Sequence, residues 1–555
     1  MVESPNEVNS IITVQVILFS DCQLKKYNIT MLLLRYIWIS FLLIGCCLPP
    51  VRGCYDMYLS PKWYICIGSA LLWLANESVL MLRGKRGFYL EQSYVQNGLV
   101  ACSLFTGFYA VCMFFCRHQT MLLGPYDNPA GLAFCMSIPL VYEIERIHQL
   151  QGRLRWLLMG VFVCTVLIIL CTRSRTGVIA LLLSFLLSAW KSHWARGKRI
   201  VSVILIMGGV VCMSLLSIQK SDSTSGRSFI MGRTLEMIAQ HPVRGYGSGG
   251  FRCHYMDVQA AYFASHPHSR YAELADEVSH PLCEFLQVWT DYGLVGLLLL
   301  ACALFVPFIS YCLRPPSSAD RMYGLSVPLV VFSYFSYPFH YPMAWFVLLW
   351  AWIPLLGEIK KLRYLSFRIF NKRIWGVLCF VCALSAFIFL LRQWTFDYEW
   401  DRIARWSMQG HSREMMPRYR ALALHKSSDA LFLYNYAMEQ FYAGELESAL
   451  QTAEACSQRI SGYNLELLRG DIFRSLGQNS KAMYHYQHAR QMCPVRFAPL
   501  SGMLMIYAAD GQKAAEGEKV AREILDKRVK VPSPMVEQIR EQAKDYLNRQ
   551  VLHLR

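Results

Sequence analysis

The stretch SHPLCEFLQVWTDYGLVGLLLL at 279–300 runs from charged residues straight into an apolar block. In it His280, Glu284, Gln287 and Asp291 recur at i, i+4, i+7 and i+11, which predicts a polar stripe along a helix, facing a wet cavity or another polar surface. Glu284, one turn from His280, could orient and charge the imidazole as a general base requires. The same residues also suit a solvated first turn, where the helix dipole favours acids. Arg173 and Arg175, in CTRSRTGVIALLL, mark the edge of another apolar run. They read either as cations snorkelling to an interface or as a clamp for phosphate oxygens. A third cluster, SGRSFIMGRTLEMIAQHPVRGYGSGGF, opens with Arg227. Its first part predicts an amphipathic helix over 227–240, with Phe229, Met231, Leu235, Met237 and Ile238 at the apolar positions. Gly245, Gly247 and Gly250 then match GxGxxG, but they follow a helix where a dinucleotide fold needs a strand. His254, His266, His268 and His280 with Asp257 and Asp276 are metal-ligating types, yet their spacing matches no closed zinc pattern, and no metal is expected.

The elements that must hold these residues are membrane helices. The chain has 555 residues, 54% hydrophobic and 17% charged, more apolar than a soluble core of this size needs. Blocks near the roughly 20 residues that cross a hydrocarbon core lie at about 31–48, 63–82, 96–116, 129–142, 156–172, 177–190, 200–218, 288–312, 323–337, 343–357 and 374–391. The net charge of +17 is concentrated in alternate connections, around Arg83 to Arg86, Arg146 to Arg155, Lys191 to Arg199, Arg314 to Arg321 and Lys360 to Arg373. That pattern is a topology signal and not a nucleic-acid footprint: these connections face the cytoplasm. The N-terminus is then cytoplasmic, and the loop 219–283 and everything past 391 lie outside. Residues 1–30 hold one apolar run too short to span, and read as a tail or an overextended start. Glu77 in LANESVL is the clearest mid-span acid, and the central spans carry none, which disfavours a proton-coupled transporter and weighs against the alternative of another class, a lipid-linked glycan transporter. Most of the twenty cysteines sit inside spans as small apolar side chains; Cys253 and Cys283, in the outer loop, are open to a disulfide.

From about 395 the material changes. Turn glycines Gly444, Gly477 and Gly511 stand 33 and 34 residues apart, each between helix-forming stretches. This period resembles tetratricopeptide repeats, whose stacked helix pairs make a concave surface for peptides or other chains.

The three clusters, in this order, resemble the O-antigen ligase and polymerase superfamily of polytopic membrane glycosyltransferases. SRTGVIALLLSF is similar to its Ser-Arg motif at a helix start, the run from Arg227 to Phe251 to its external-loop pattern, EFLQVWTDYGLVGLLLL to the helix that follows that loop, and GPYDNPAGLAF near 124 to a further motif. The resemblance covers about 30–391 and implies an all-α polytopic protein of about 11 transmembrane helices with a long external loop, the transferase domain filling 31–391 and a periplasmic repeat domain 395–555. It implies a bacterial inner-membrane enzyme that needs neither metal nor cofactor. Such an enzyme moves a glycan from an undecaprenyl diphosphate-linked donor to lipid A core or to a protein Ser/Thr hydroxyl, or extends the glycan itself. Arg175 and Arg227, with Arg173 in support, would neutralise the diphosphate. The family's histidine position falls at Leu282, two residues past His280, so the base is His280 or Glu284. Membrane lipid and a protein on the repeats are the further partners expected; nucleic acid is not.

Overall fold

The structure, a computed structural model, describes residues 29–83, 92–118, 121–191, 221–314, 320–358, 372–510 and 513–553. Residues 1–28, the apolar block 200–218, Gly511 and most of the basic connections lie outside the described residues. Those described are all-α, with no strand among them. The chain divides into two compact units: Met1–Val203, Pro307–Val330 and Pro338–Tyr398 form the first; Ile204–Val306, Val331–Tyr337 and Glu399–Arg555 form the second.

The first unit contains α1 (Ile29–Cys46), α2 (Ser60–Leu82), α3 (Gln92–Cys116), α4 (Pro129–Ser137), α5 (Leu140–Gln149), α6 (Gly152–Cys171) and α7 (Arg175–Lys191). The apolar block at 129–142 is not one straight span. Pro139, which cannot donate a backbone N–H, separates α4 from α5, and the ladder resumes with Glu143 N–H to Pro139 O at 2.8 Å. Outward faces of α6 expose Trp156, Leu157, Val163 and Leu167, a surface at home only in lipid. Five helices among the described residues are long and apolar enough to cross a membrane, at Ser60–Leu82, Gln92–Cys116, Gly152–Cys171, Glu284–Leu313 and from Arg373 onward. Glu77, the mid-span acid, is matched by Arg35 on α1, and both side chains are buried. An ion pair replaces the water that lipid cannot provide.

The second unit begins with α8 (Ser221–Gln240) and α9 (Gly250–Ser265), so the segment 219–283, expected as a loop, is largely helical where it is described. Phe229, Met237 and Ile238 of α8 are buried as its pattern predicts, whereas Met231 and Leu235 are exposed. Next comes α10 (Glu284–Leu313), interrupted at Gly293 and running on into the first unit. The first unit also takes α11 (Asp320–Gly324), the first half of α12 (Ser326–Phe335) and α13 (Pro342–Glu358). The composition change near 395 falls inside one continuous helix, α14 (Lys372–Trp406), which runs from the apolar block into the charged sequence that follows.

Beyond it stand α15 (Ser412–Lys426), α16 (Ala430–Ala443), α17 (Leu446–Ser457), α18 (Tyr463–Ser475), α19 (Asn479–Met492), α20 (Ala498–Ala509), α21 (Ala514–Asp526) and α22 (Pro534–His553). Each packs on its predecessor, giving an array of helical hairpins. Local chemistry sets the boundaries: the Asp429 carboxylate accepts from Leu431 N–H (3.0 Å) and Phe432 N–H (3.2 Å) to cap α16.

Candidate active site

The glycine-rich turn after α8 lies against the interruption of α10. Tyr246 N–H donates to Thr290 O (2.9 Å), Gly247 N–H to Asp291 O (2.8 Å), and Leu294 N–H to Pro242 O (3.0 Å). The Trp289 indole N–H donates to the same Pro242 carbonyl at 2.9 Å. Those groups are free to pair because Gly293 leaves the helix at φ 67°, ψ −163°, a conformation other residues rarely adopt. The backbones also approach too closely for side chains: a Cβ on Gly293 would stand 2.0 Å from Val243 O, and one on Gly245 2.6 Å from Asp291 O. The GxGxxG glycines therefore serve a backbone-to-backbone clamp.

That clamp reassigns the polar stripe. Asp291 is buried, and its carboxylate accepts from Phe251 N–H at 2.8 Å, capping the N-terminus of α9; Gln287 donates to its other oxygen at 2.9 Å. Glu284 is also buried, in the first turn of α10. His280 is not on the helix at all, since α10 begins at Glu284 and Leu282 sits at φ 59° in between. The expected wet stripe from 280 to 291 is thus an inward-packed acid–amide pair, a buried glutamate and a histidine delivered from a separate extended segment. A left-handed leucine is strained by about 1–2 kcal/mol, and such strain gathers at functional sites. Cys283, between the two candidate bases, is buried, which pushes its thiol up from its ordinary value and leaves it a poor nucleophile.

His280 and Arg227 meet the same short segment of chain. The His280 ring stacks on Tyr337 with centroids 4.7 Å apart and planes 12° apart. Arg227 Nη1 donates to Phe335 O at 3.0 Å, and Phe285, one residue past Glu284, faces Tyr334 at 6.4 Å. Residues 334–337 thus join α8, the histidine segment and the start of α10. Tyr337 was hidden in the sequence because the aromatic run YFSYPFHYP reads as the end of a span.

Arg173 and Arg175 belong to the first unit. They lie in the tight turn from α6 to α7, where Thr172 Oγ1 accepts from Ser174 N–H and Ser174 Oγ from Gly177 N–H, both at 3.2 Å. The serine of the Ser-Arg motif is therefore a helix cap. Arg173 is exposed at φ 53°, and Arg175, half-buried, is the first residue of α7. In GPYDNPAGLAF, Asn128 caps α4 through Gly131 N–H (2.7 Å) and donates to Tyr341 Oη (2.9 Å), while Tyr341 donates to Asp127 (2.5 Å).

Among the described residues no three His, Cys, Asp or Glu side chains form a metal-binding group. His254 packs on Tyr246 and His266 on Tyr262, while Asp257 pairs with His488 and Asp276 with Arg496. Cys253 and Cys283 are both free thiols; Cys253 donates to Arg459 O.

Residues 160–301 match the family model for O-antigen ligase (Wzy_C). That stretch, about a quarter of the chain, is what resembles the O-antigen ligase superfamily. No curated protein and no solved structure matches it. The matched region takes in Arg173, Arg175, Arg227, the glycine clamp, His280 and Glu284. The family matched by this region indicates glycosyl transfer of the ligase or polymerase type, in a chain with helices long and apolar enough to cross a membrane.

Proposed function

We propose that the protein transfers a glycan from an undecaprenyl diphosphate-linked donor to an acceptor hydroxyl at the periplasmic face of the bacterial inner membrane. The observation that carries this reading is that Arg227, His280 and the start of α10, all within the stretch that matches O-antigen ligase, converge on residues 334–337. The acceptor oxygen attacks the anomeric carbon, the bond from that carbon to the diphosphate oxygen breaks, and the acceptor proton passes to His280 or Glu284. Negative charge grows on the departing diphosphate, and Arg175, Arg227 and Arg173 are assigned to neutralise it. No cofactor takes part in this scheme. Lipid A core or a protein Ser/Thr is the acceptor, and the C-terminal hairpins, read as periplasmic tetratricopeptide-like repeats, favour a large one. A polymerase that lengthens the glycan is the second reading.

The test is deletion in the source organism with separate analysis of lipopolysaccharide, glycoprotein glycans and chain length. Loss of capped lipopolysaccharide or of protein glycans selects the corresponding transferase, and shortened chains select the polymerase. Arg175→Ala, Arg227→Ala, His280→Ala and Glu284→Ala should each fail to complement at normal protein level. Full activity in all four would remove the site.

A further inference from the structure

The helical array shares a compact unit with the external loop, and its contacts converge on the residues just before His280. Gln259 of α9 is fully buried and donates from Nε2 to two carbonyls, Asp276 O at 3.1 Å and Met492 O at 2.7 Å. Both neighbours are acceptors, so the amide orientation is dictated by its surroundings. Met492 ends α19 of the array. Four residues on, Arg496 reaches Asp276 Oδ1 with Nε (3.1 Å) and Nη2 (2.7 Å). Asn464, at the start of α18, donates to Glu277 Oε2 at 2.8 Å, and the Glu277 carboxylate lies so close to Gly462 that a Cβ there would come within 2.7 Å. Farther along the array, Arg528 and Lys530 hold Glu273 through its carboxylate (3.0 Å) and its carbonyl (3.1 Å). Beneath these polar contacts Phe251, Tyr255 and Met256 of α9 form one apolar core with Tyr463, Met492 and Cys493.

Exposed ion pairs are individually weak, but a buried amide bridging three segments is not replaceable by water. The anchored carbonyl of Asp276 lies four residues before His280, at a point where the chain has no helix of its own to hold it. We propose that Gln259, Arg496 and Asn464 are positioning residues: they fix Asp276 and Glu277 between α9 and the array and thereby aim His280, making the array a working part of the transferase. The proposal rests on the reading of 280–284 as the place of the base.

The test uses the full-length protein in detergent, with hydrogen exchange over 273–283, together with glycan transfer in cells and, once donor and acceptor are in hand, kcat against KM. Arg496→Asp and Asp276→Arg should each raise exchange in that segment about 10-fold and lower kcat about 10-fold to 100-fold while leaving the donor KM in place. The double exchange Arg496→Asp with Asp276→Arg should recover both, and Arg496→Lys should lie between. Gln259→Glu, which sets a carboxylate against two carbonyls, should be worse than Gln259→Leu. Raised exchange with unchanged transfer, or failure of the double exchange to recover either readout, overturns the positioning role. Full activity of both His280→Ala and Glu284→Ala, with the exchange variants behaving as expected, would instead place the failure in the assignment of the base.

Discussion

His280 owes its setting to Tyr337 rather than to the helix that follows it. A face-to-face ring contact is retained by phenylalanine and lost in alanine. Tyr337→Phe should therefore transfer glycan near the wild-type rate, and Tyr337→Ala should fall about 10-fold, as misplacement of a reacting group does; in-cell glycan analysis at matched protein levels reads the difference. Asp291 has a different office. Its oxygen caps α9, so Asp291→Ala should cost about 1 kcal/mol or more through the lost cap, whereas Asp291→Asn keeps an acceptor for Phe251 N–H. Thermal unfolding in detergent should rank them wild type, Asn, Ala. If the two variants unfold together below wild type, the charge rather than the acceptor is what α9 requires.

At the scale of elements, the clamp between the glycine turn and α10 explains why a transmembrane segment tolerates a break. Seven backbone and side-chain groups around Pro242, Tyr246, Gly247 and 289–294 satisfy one another, so these groups are not left to face lipid. Gly293→Ala and Gly245→Ala both drive a methyl into backbone that cannot yield. Each should lower the yield of folded, monodisperse protein, by the several kcal/mol that overpacking against fixed atoms brings. Gly232 offers the control. It lies inside α8 with nothing near its missing Cβ, so Gly232→Ala should raise the melting temperature, by up to about 1 kcal/mol in stability.

Across the whole molecule, the seam between α9 and the array contains a titratable pair. Asp257 accepts from His488 at 2.9 Å and raises the imidazole above its ordinary value; burial opposes this, and the Glu466 charge assists it. A folded-state value raised above the unfolded one, about 6.5, gives a contribution complete below that pH and lost as pH rises through the folded value. The melting temperature should accordingly fall through the range just above neutral-histidine titration, and Asp257→Asn should flatten that slope. A slope identical in the variant would assign the pH dependence to other groups. His488 and Glu466 belong to the array while Asp257 belongs to α9, so the same titration also reports how firmly the array holds the loop.

Much of this was legible in the linear pattern. Blocks of about 20 apolar residues require lipid, the apolar period over 227–240 required a helix, of whose five apolar positions Phe229, Met237 and Ile238 are buried and Met231 and Leu235 are not, and the order of Arg173 to Arg175, Arg227 to Phe251 and Glu284 to Gly296 carried the family resemblance. These are local properties, decided by length, periodicity and spacing within one segment. Partnership was not local. Whether Asp291 faced water or capped α9 depended on where Phe251 arrived, 40 residues earlier in the chain. Whether His280 continued the helix depended on Leu282 adopting a left-handed turn, and its ring found Tyr337 in a run indistinguishable from membrane span. Gln259 read as one more polar residue until tertiary packing set Asp276 O and Met492 O on either side of it. Sequence alone determined which residues have the chemistry for a site and that apolar blocks of membrane-crossing length flank them; only the tertiary structure decided which neighbours each of them meets, because those neighbours are brought by the chain from far away.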